Sequence, residues 1–230
     1  MKIKYWSDYA CPYCYIGVTN LKNAMADLGI ETEVKMMAFQ LHPEADKQRR
    51  IKQMDDMAER YGIPREQAKL TLARILAMAE EAGLKMNYDQ VEYANTEDAH
   101  RLTKYAQMTD MKKADALINR LYQAYFVDGI WLGDHEKLAD LASECGFDRA
   151  EALNSFREEK YLEEVKNQEE FAAAMQVQGV PYFVFNEQYV VPGALNKEQM
   201  KQVLVKVIEL EAQDLGIAAG AACGPDGCDA

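Results

Sequence analysis

The sequence predicts an α/β fold with a large helical unit inserted between its two halves. Three observations carry this. The opening residues read strand, helix, strand; residues 46–160 keep a helical period almost throughout; strand patterning then returns as a hairpin and is followed by a closing helix.

Residues 2–7 alternate, with Ile3, Tyr5 and Ser7 on one side, which suits a short strand. Cys14, Val18, Leu21, Met25 and Leu28 then recur at spacings of four and three. That is one face of an amphipathic helix, closed by Gly29. Residues 32–39 give a second strand, with Val34, Met36 and Ala38 on one side. The character changes at Leu41-His42-Pro43. The helical stripes that follow include Met54/Met57/Ala58/Tyr61, Ala68/Leu72/Ile75/Leu76/Ala79, Leu117/Ile118/Leu121/Tyr122/Tyr125 and Leu138/Leu141/Ala142. Gly62-Ile63-Pro64, Gly83 and Asp128-Gly129 punctuate them. The inserted unit is thus roughly 110–120 residues, an ordinary size for a domain. Its Tyr- and Met-bearing stripes are expected to be core. Strands return at Pro181-Tyr182-Phe183-Val184-Phe185 and Gln188-Tyr189-Val190-Val191, flanking Asn186-Glu187, a hairpin signature. Residues 196–215 form the last helix, with Met200, Val203, Leu204, Val207 and Ile208 on one face. Residues 216–230, rich in Gly and Ala, are expected to be a flexible tail.

Composition narrows the function. The 230 residues are 49% hydrophobic, enough for one large core or two modest ones. A net charge of −12 argues against nucleic acid, because phosphate binding needs a basic face. No apolar run approaches the roughly 20 residues of a membrane span, so no membrane partner is expected. The first residues lack the apolar stretch of a secretory signal. The expected location is therefore the cytoplasm, where a Cys-x-x-Cys pair is more often catalytic than structural.

The chemistry is concentrated in Cys11-Pro12-Tyr13-Cys14, just after the first strand. Two thiols three residues apart can close a disulfide when they open a helix. The first then sits where unpaired N–H groups and the helix dipole favour a thiolate, the form that attacks disulfides. Zinc is the rival for such a pair. A structural zinc site needs four ligands, and no second Cys-x-x-Cys or His-x-x-x-His follows. Of five cysteines, Cys223 and Cys228 form a second close pair, in a Gly-Pro-Asp-Gly turn. Cys145 is left over and reads as a buried helix-end residue.

Together, Cys11-Pro12-Tyr13-Cys14-Tyr15-Ile16-Gly17, Gly179-Val180-Pro181-Tyr182-Phe183-Val184-Phe185 and Cys223-Gly224-Pro225-Asp226-Gly227-Cys228 resemble the thioredoxin superfamily. The long helical insertion is similar to its DsbA branch, and more narrowly to the FrnE-like subgroup. The resemblance spans essentially the whole chain. It implies a thioredoxin-like unit over 1–41 and 163–215, an inserted helical domain over 42–162, and a Cys-x4-Cys tail over 216–230. It implies Cys11 as the exposed nucleophile and Cys14 as the buried resolving thiol. Val180-Pro181 would carry a cis peptide facing the pair, an isomer that costs an X–Pro bond only about 0.5–1 kcal/mol. Pro12, Tyr13 and Val180 would contact the substrate, a disulfide or dithiol on a protein or small molecule. No organic cofactor is implied, and glutathione is the one small co-substrate it admits.

Asn95-Thr96-Glu97-Asp98-Ala99-His100-Arg101 resembles a segment of the subgroup's helical domain that approaches the cleft, which makes His100 a candidate to stabilise a thiolate or shuttle a proton. The plain alternative is a helix start, with Asn95 or Thr96 as N-cap and Asp98 completing a capping-box-like pair. His42 and His135 receive no role. Cys223 and Cys228 have three readings: a second redox pair relaying electrons to Cys11/Cys14, a soft-metal site, or neither. Val191-Pro192-Gly193-Ala194-Leu195 departs from the subgroup's serine-glycine-alanine-glutamine, which removes the basis for carrying a substrate or glutathione contact to those positions. Two other classes remain. The 2-hydroxychromene-2-carboxylate isomerases and kappa-class glutathione transferases look similar in layout, but usually carry serine in place of Cys11 and lack the second cysteine. A thiol-based metal-binding protein is the other. The sequence carries no signal for oligomeric state.

Overall fold

The computed structural model describes residues 1–214. A four-stranded sheet is formed by β1 (Ile3–Ser7), β2 (Val34–Ala38), β3 (Tyr182–Phe185) and β4 (Tyr189–Pro192), in the order β2-β1-β3-β4. The parallel pair β1–β2 runs in register from Ile3↔Val34 to Ser7↔Ala38; β3 is antiparallel to β1, with Ile3 opposite Phe185. The β3–β4 hairpin turns over three residues, Asn186 (φ 52°), Glu187 (φ 60°) and Gln188, whose N–H donates to Phe185 O at 3.0 Å.

Helix α1 (Pro12–Leu28) crosses from β1 to β2 and ends at Gly29 in the left-handed conformation, with Ile30 N–H returning to Met25 O at 2.9 Å. Helix α9 (Lys197–Asp214) packs along α1. Seven helices fill the long connection: α2 (Gln53–Tyr61), α3 (Arg65–Glu81), α4 (Glu97–Thr109), α5 (Met111–Phe126), α6 (His135–Glu144), α7 (Arg149–Arg157) and α8 (Leu162–Ala174). The expected fold class is the observed one.

Central β1 is covered on both faces. Tyr5 and Ile3 enter the main core, while Trp6 packs with Ala172, Val177 and Val184 beneath α8. The expected one-sided strand was too simple, because the insertion's last helix roofs the second face. Leu28 and Ile208, expected on buried stripes, are 38% and 44% exposed. A run of aromatic rings joins the insertion to the motif helix: Tyr15 stacks on Tyr122 (5.0 Å), Tyr9 meets Tyr122 at a tilt (4.8 Å), and Tyr88 stacks on Phe126 (5.8 Å). Each such pair contributes about 0.5–1.5 kcal/mol beyond area burial.

Strand β2 lies at the sheet edge, yet two of its outward backbone groups are held by side chains. Met36 O accepts from Lys104 Nζ and from Gln107 Nε2, both at 3.0 Å, and Ala38 N–H donates to Gln168 Oε1 at 2.8 Å. Helices α4 and α8 therefore finish the sheet with side chains.

Candidate active site

The strand–turn–helix passage from β1 into α1 places Cys11 at the N-cap of α1, with extended backbone (φ −93°, ψ 111°) and Pro12 as the first helical residue. Proline is at home there because that N–H has no helical partner. The Cys11 carbonyl accepts from Cys14 N–H at 3.1 Å, and its own N–H donates to Asp8 O at 3.1 Å. Cys11, Cys14 and Cys145 are free thiols, and Cys145 is half-buried at the C-cap of α6 rather than fully buried.

Cys14 is fully buried. Burial raises its thiol well above the ordinary range, and its hydrogen bond to Cys11 and the charge there add to the effect; hydrogen bonds with the Ser7 side chain and the Asp8 backbone act the other way. Cys11, expected to be exposed, is only 4% exposed, so its sulfur is reached through a groove rather than from an open surface. Across from it the Val180–Pro181 bond is cis, and the Cys11 thiol donates to the Val180 carbonyl at 3.7 Å. Gly193 N–H bonds Pro181 O at 2.8 Å, which ties this loop to β4. Gly17 allows the approach of α1 to it: a Cβ there would stand 3.0 Å from Pro181 Cγ.

The groove has a volume of about 430 Å³. One wall is Ala10, Cys11, Pro12 and Tyr13; the other comes from the insertion, through Met57, Arg60, Ile75, Tyr88 and Tyr93, with Leu41 and His42 at the junction. Arg60 is bonded to Asp56 at 2.9 Å and lies over the Tyr93 ring. Burial, then Arg60, lowers the pKa of His42. A larger cavity, about 510 Å³, lies by Lys22, Met25, Val34 and Met111, but it holds no thiol, and an ion pair of Lys22 with Asp115 lines it.

The structure thus brings together Cys11, Cys14, Pro12, Tyr13, Val180 and Pro181. It does not bring His100 to the groove. His100 is fully buried against Tyr9 and 3.6 Å from Asp8 Oδ1, so it has no surface for a substrate to touch. Burial alone would raise the Asp8 carboxyl; neighbouring His100 and the amide of Leu41 outweigh that and hold it below the usual range. The capping box is also corrected. Asn95 Oδ1 accepts from Glu97 N–H, while the Asp98 carboxylate turns away to Arg101 (2.6 Å) and His135 (2.7 Å). Cys223 and Cys228 lie outside the described residues. Among the described residues no group of three or more His, Cys, Asp or Glu is placed to hold a metal ion, and no helix is long and apolar enough to cross a membrane. Sequence reasoning missed Tyr88, Tyr93, Arg60 and His42 as groove residues; only the break in helical period between Gly83 and Asn95 hinted that this stretch bends toward the thiols.

Residues 2–205 match the family model of the DSBA-like thioredoxin domain, and the chain belongs to that family. It is similar to a probable DsbA oxidoreductase of Streptomyces coelicolor at 30% identity and a TM-score of 0.83, over 100% of this chain and 99% of that one. Protein YwbO of Bacillus subtilis (strain 168) is 27% identical over 205 residues, 88% of this chain and 94% of that protein. The cytosolic disulfide reductase DsbM of Pseudomonas aeruginosa, solved with glutathione, shares the fold at 17% identity and a TM-score of 0.60, over 94% of this chain and 100% of that one.

Proposed function

We propose that this chain is a cytoplasmic thiol–disulfide oxidoreductase of the FrnE-like subgroup, acting through Cys11-Pro12-Tyr13-Cys14. The observation that carries the reading is the pairing of two free thiols on the first turn of α1, one opening on a groove and the other sealed beneath it. As a thiolate, Cys11 attacks one sulfur of a substrate disulfide; that S–S bond breaks and the pair leaves on the other sulfur. Cys14, deprotonated, then attacks Cys11 Sγ, releasing the second substrate thiolate and leaving Cys11–Cys14 oxidised. Run backward, the same steps oxidise a dithiol. Burial of Cys14 keeps it protonated until the mixed disulfide forms, which orders the two attacks. The Val180 backbone would pair with an extended substrate as an added strand, beside Pro181, Pro12 and Tyr13.

In this reading, 1–41 and 163–215 supply the thiols and the Val180–Pro181 loop, and the helical unit 42–162 supplies the far wall of the groove. The substrate is a protein or small-molecule disulfide or dithiol. Glutathione is the co-substrate we favour, on the likeness to DsbM and a groove large enough for a small thiol. Cys223 and Cys228 are assigned as a second redox pair exchanging with the first.

The test is reduction of insulin disulfides by the wild type, Cys11→Ser and Cys14→Ser. Cys11→Ser abolishes it, and Cys14→Ser accumulates a mixed disulfide at Cys11. Full activity in Cys11→Ser refutes the assignment.

A further inference from the structure

Tyr88 combines deep burial in the groove wall with a polar tip. It is 6% exposed, and its ring stacks on Phe126 at 5.8 Å. The short 3-10 turn Tyr88–Gln90 that carries it is anchored by Asn87 N–H to Phe126 O at 2.7 Å. The ring is therefore fixed, not swinging in from solvent. Tyr88 lines the groove together with Cys11, and among the described residues its hydroxyl finds no hydrogen-bond partner. Burial raises its pKa, and negative charge at Cys11 raises it further. A hydroxyl beside the groove that no protein group holds is free to donate to a ligand atom seated next to Cys11.

We propose that Tyr88 is a catalytic hydrogen-bond donor, and that its hydroxyl holds the substrate sulfur joined to Cys11 while the groove seats the group attached to that sulfur. This rests on Cys11 being the nucleophile. Attack by Cys14 on Cys11 Sγ forms the Cys11–Cys14 bond and breaks the bond to the substrate sulfur, which leaves with the electron pair. Charge builds on that departing sulfur, on the side of Cys11 away from Cys14. Tyr88 donates to it there and keeps its own proton, since its raised pKa exceeds that of an ordinary thiol; the thiolate takes its proton from water. No reductant beyond the enzyme's own dithiol is needed, because one substrate disulfide becomes two thiols as Cys11 and Cys14 are oxidised.

The experiment is single-turnover oxidation of the dithiol enzyme by hydroxyethyl disulfide and by dithiobis-nitrobenzoate, quenched in acid and followed by mass spectrometry of the adduct at Cys11. Tyr88→Phe keeps the ring stack and removes only the hydroxyl. With the alkyl disulfide, adduct decay should slow roughly ten- to a hundredfold, the value of a hydrogen bond to a charged group. With the aryl disulfide the loss should be several times smaller, because a stable arylthiolate needs the donor less. Equal decay in wild type and Tyr88→Phe overturns the proposal, and so does an identical loss with both disulfides, which marks a structural role only. If instead Cys11→Ser still forms the adduct, the choice of nucleophile fails, which is a different result from any failure of Tyr88.

Discussion

Replacing Lys104 with methionine should change how stability depends on pH, and the size of the change follows from the lysine's surroundings. Lys104 is 3% exposed, and its ammonium reaches only neutral acceptors, Met36 O and Gln107 Oε1, both at 3.0 Å. Burial first, and then the charge of Lys35, lowers its pKa from 10.5 to about 7. Between these two values the unfolded chain binds a proton that the folded protein refuses. Protonation therefore pulls toward the unfolded state, and stability rises with pH across the window. At about 1.36 kcal/mol per unit, the full penalty below pH 7 is on the order of 5 kcal/mol, and it falls away as pH approaches 10.5. From pH 7 to pH 10, folding stability of the wild type relative to Lys104→Met should rise by roughly 3–4 kcal/mol. Methionine suits the comparison: it matches the stem in length, and Gln107 Nε2 still satisfies Met36 O. Urea unfolding midpoints of both proteins at a series of pH values measure the difference, and titrations common to both cancel. A difference that stays flat over that range refutes the argument, since Lys104 would then carry the same charge folded and unfolded.

Four further outcomes are expected. Under native conditions iodoacetamide should modify Cys11 first and leave Cys14 unmodified until the protein is denatured, because Cys14 is both sealed and held as the thiol; peptide mapping reads this directly. Arg101→Met should cost about 3–5 kcal/mol in urea unfolding, since it leaves the Asp98 carboxylate with His135 alone and frees the carbonyls of Ser155, Phe156 and Lys160. Burial works to raise the Asp98 carboxyl, but His135 and Arg101 prevail and lower it. Its contribution is thus present above the ordinary aspartate pKa and lost as pH falls through the lowered one, and Asp98→Asn should flatten the acid limb of the stability curve. Gly17→Ala should lower the thermal midpoint by the equivalent of about 1–3 kcal/mol and slow disulfide exchange, as its methyl presses on Pro181 and Phe183.

What could be read from the sequence was what local chemistry encodes. The stop at Gly29, the turn at Asn186-Glu187 and the two thiols opening a helix each depend on a few neighbouring residues, and all three stand where expected. The groove depends on distant segments meeting, and no period in the sequence announces that Tyr88 and Arg60 face Cys11. Helix α4 misleads for another reason. Asp98, His100, Arg101, Thr103, Lys104 and Gln107 would normally mark a solvated face, yet all are buried. Outside α4 their partners lie on β2, on α6, at the end of α7 and at Asp8 and Tyr9 after β1, contacts invisible to any reading of α4 by itself. His100 and Lys104 were unreadable on the same ground.

The finishing of β2 by Lys104, Gln107 and Gln168 has a consequence for engineering. A trimmed variant built from the sheet and its flanking helices, with α2 to α7 cut out, would uncover a bare hydrogen-bonding rim along Met36. Such a rim recruits strands from other copies, so the shortened protein should precipitate even if its thiols were correctly set. In this chain the insert has become scaffolding, and a minimal version would have to replace it with charged or proline-bearing rim residues before testing for exchange.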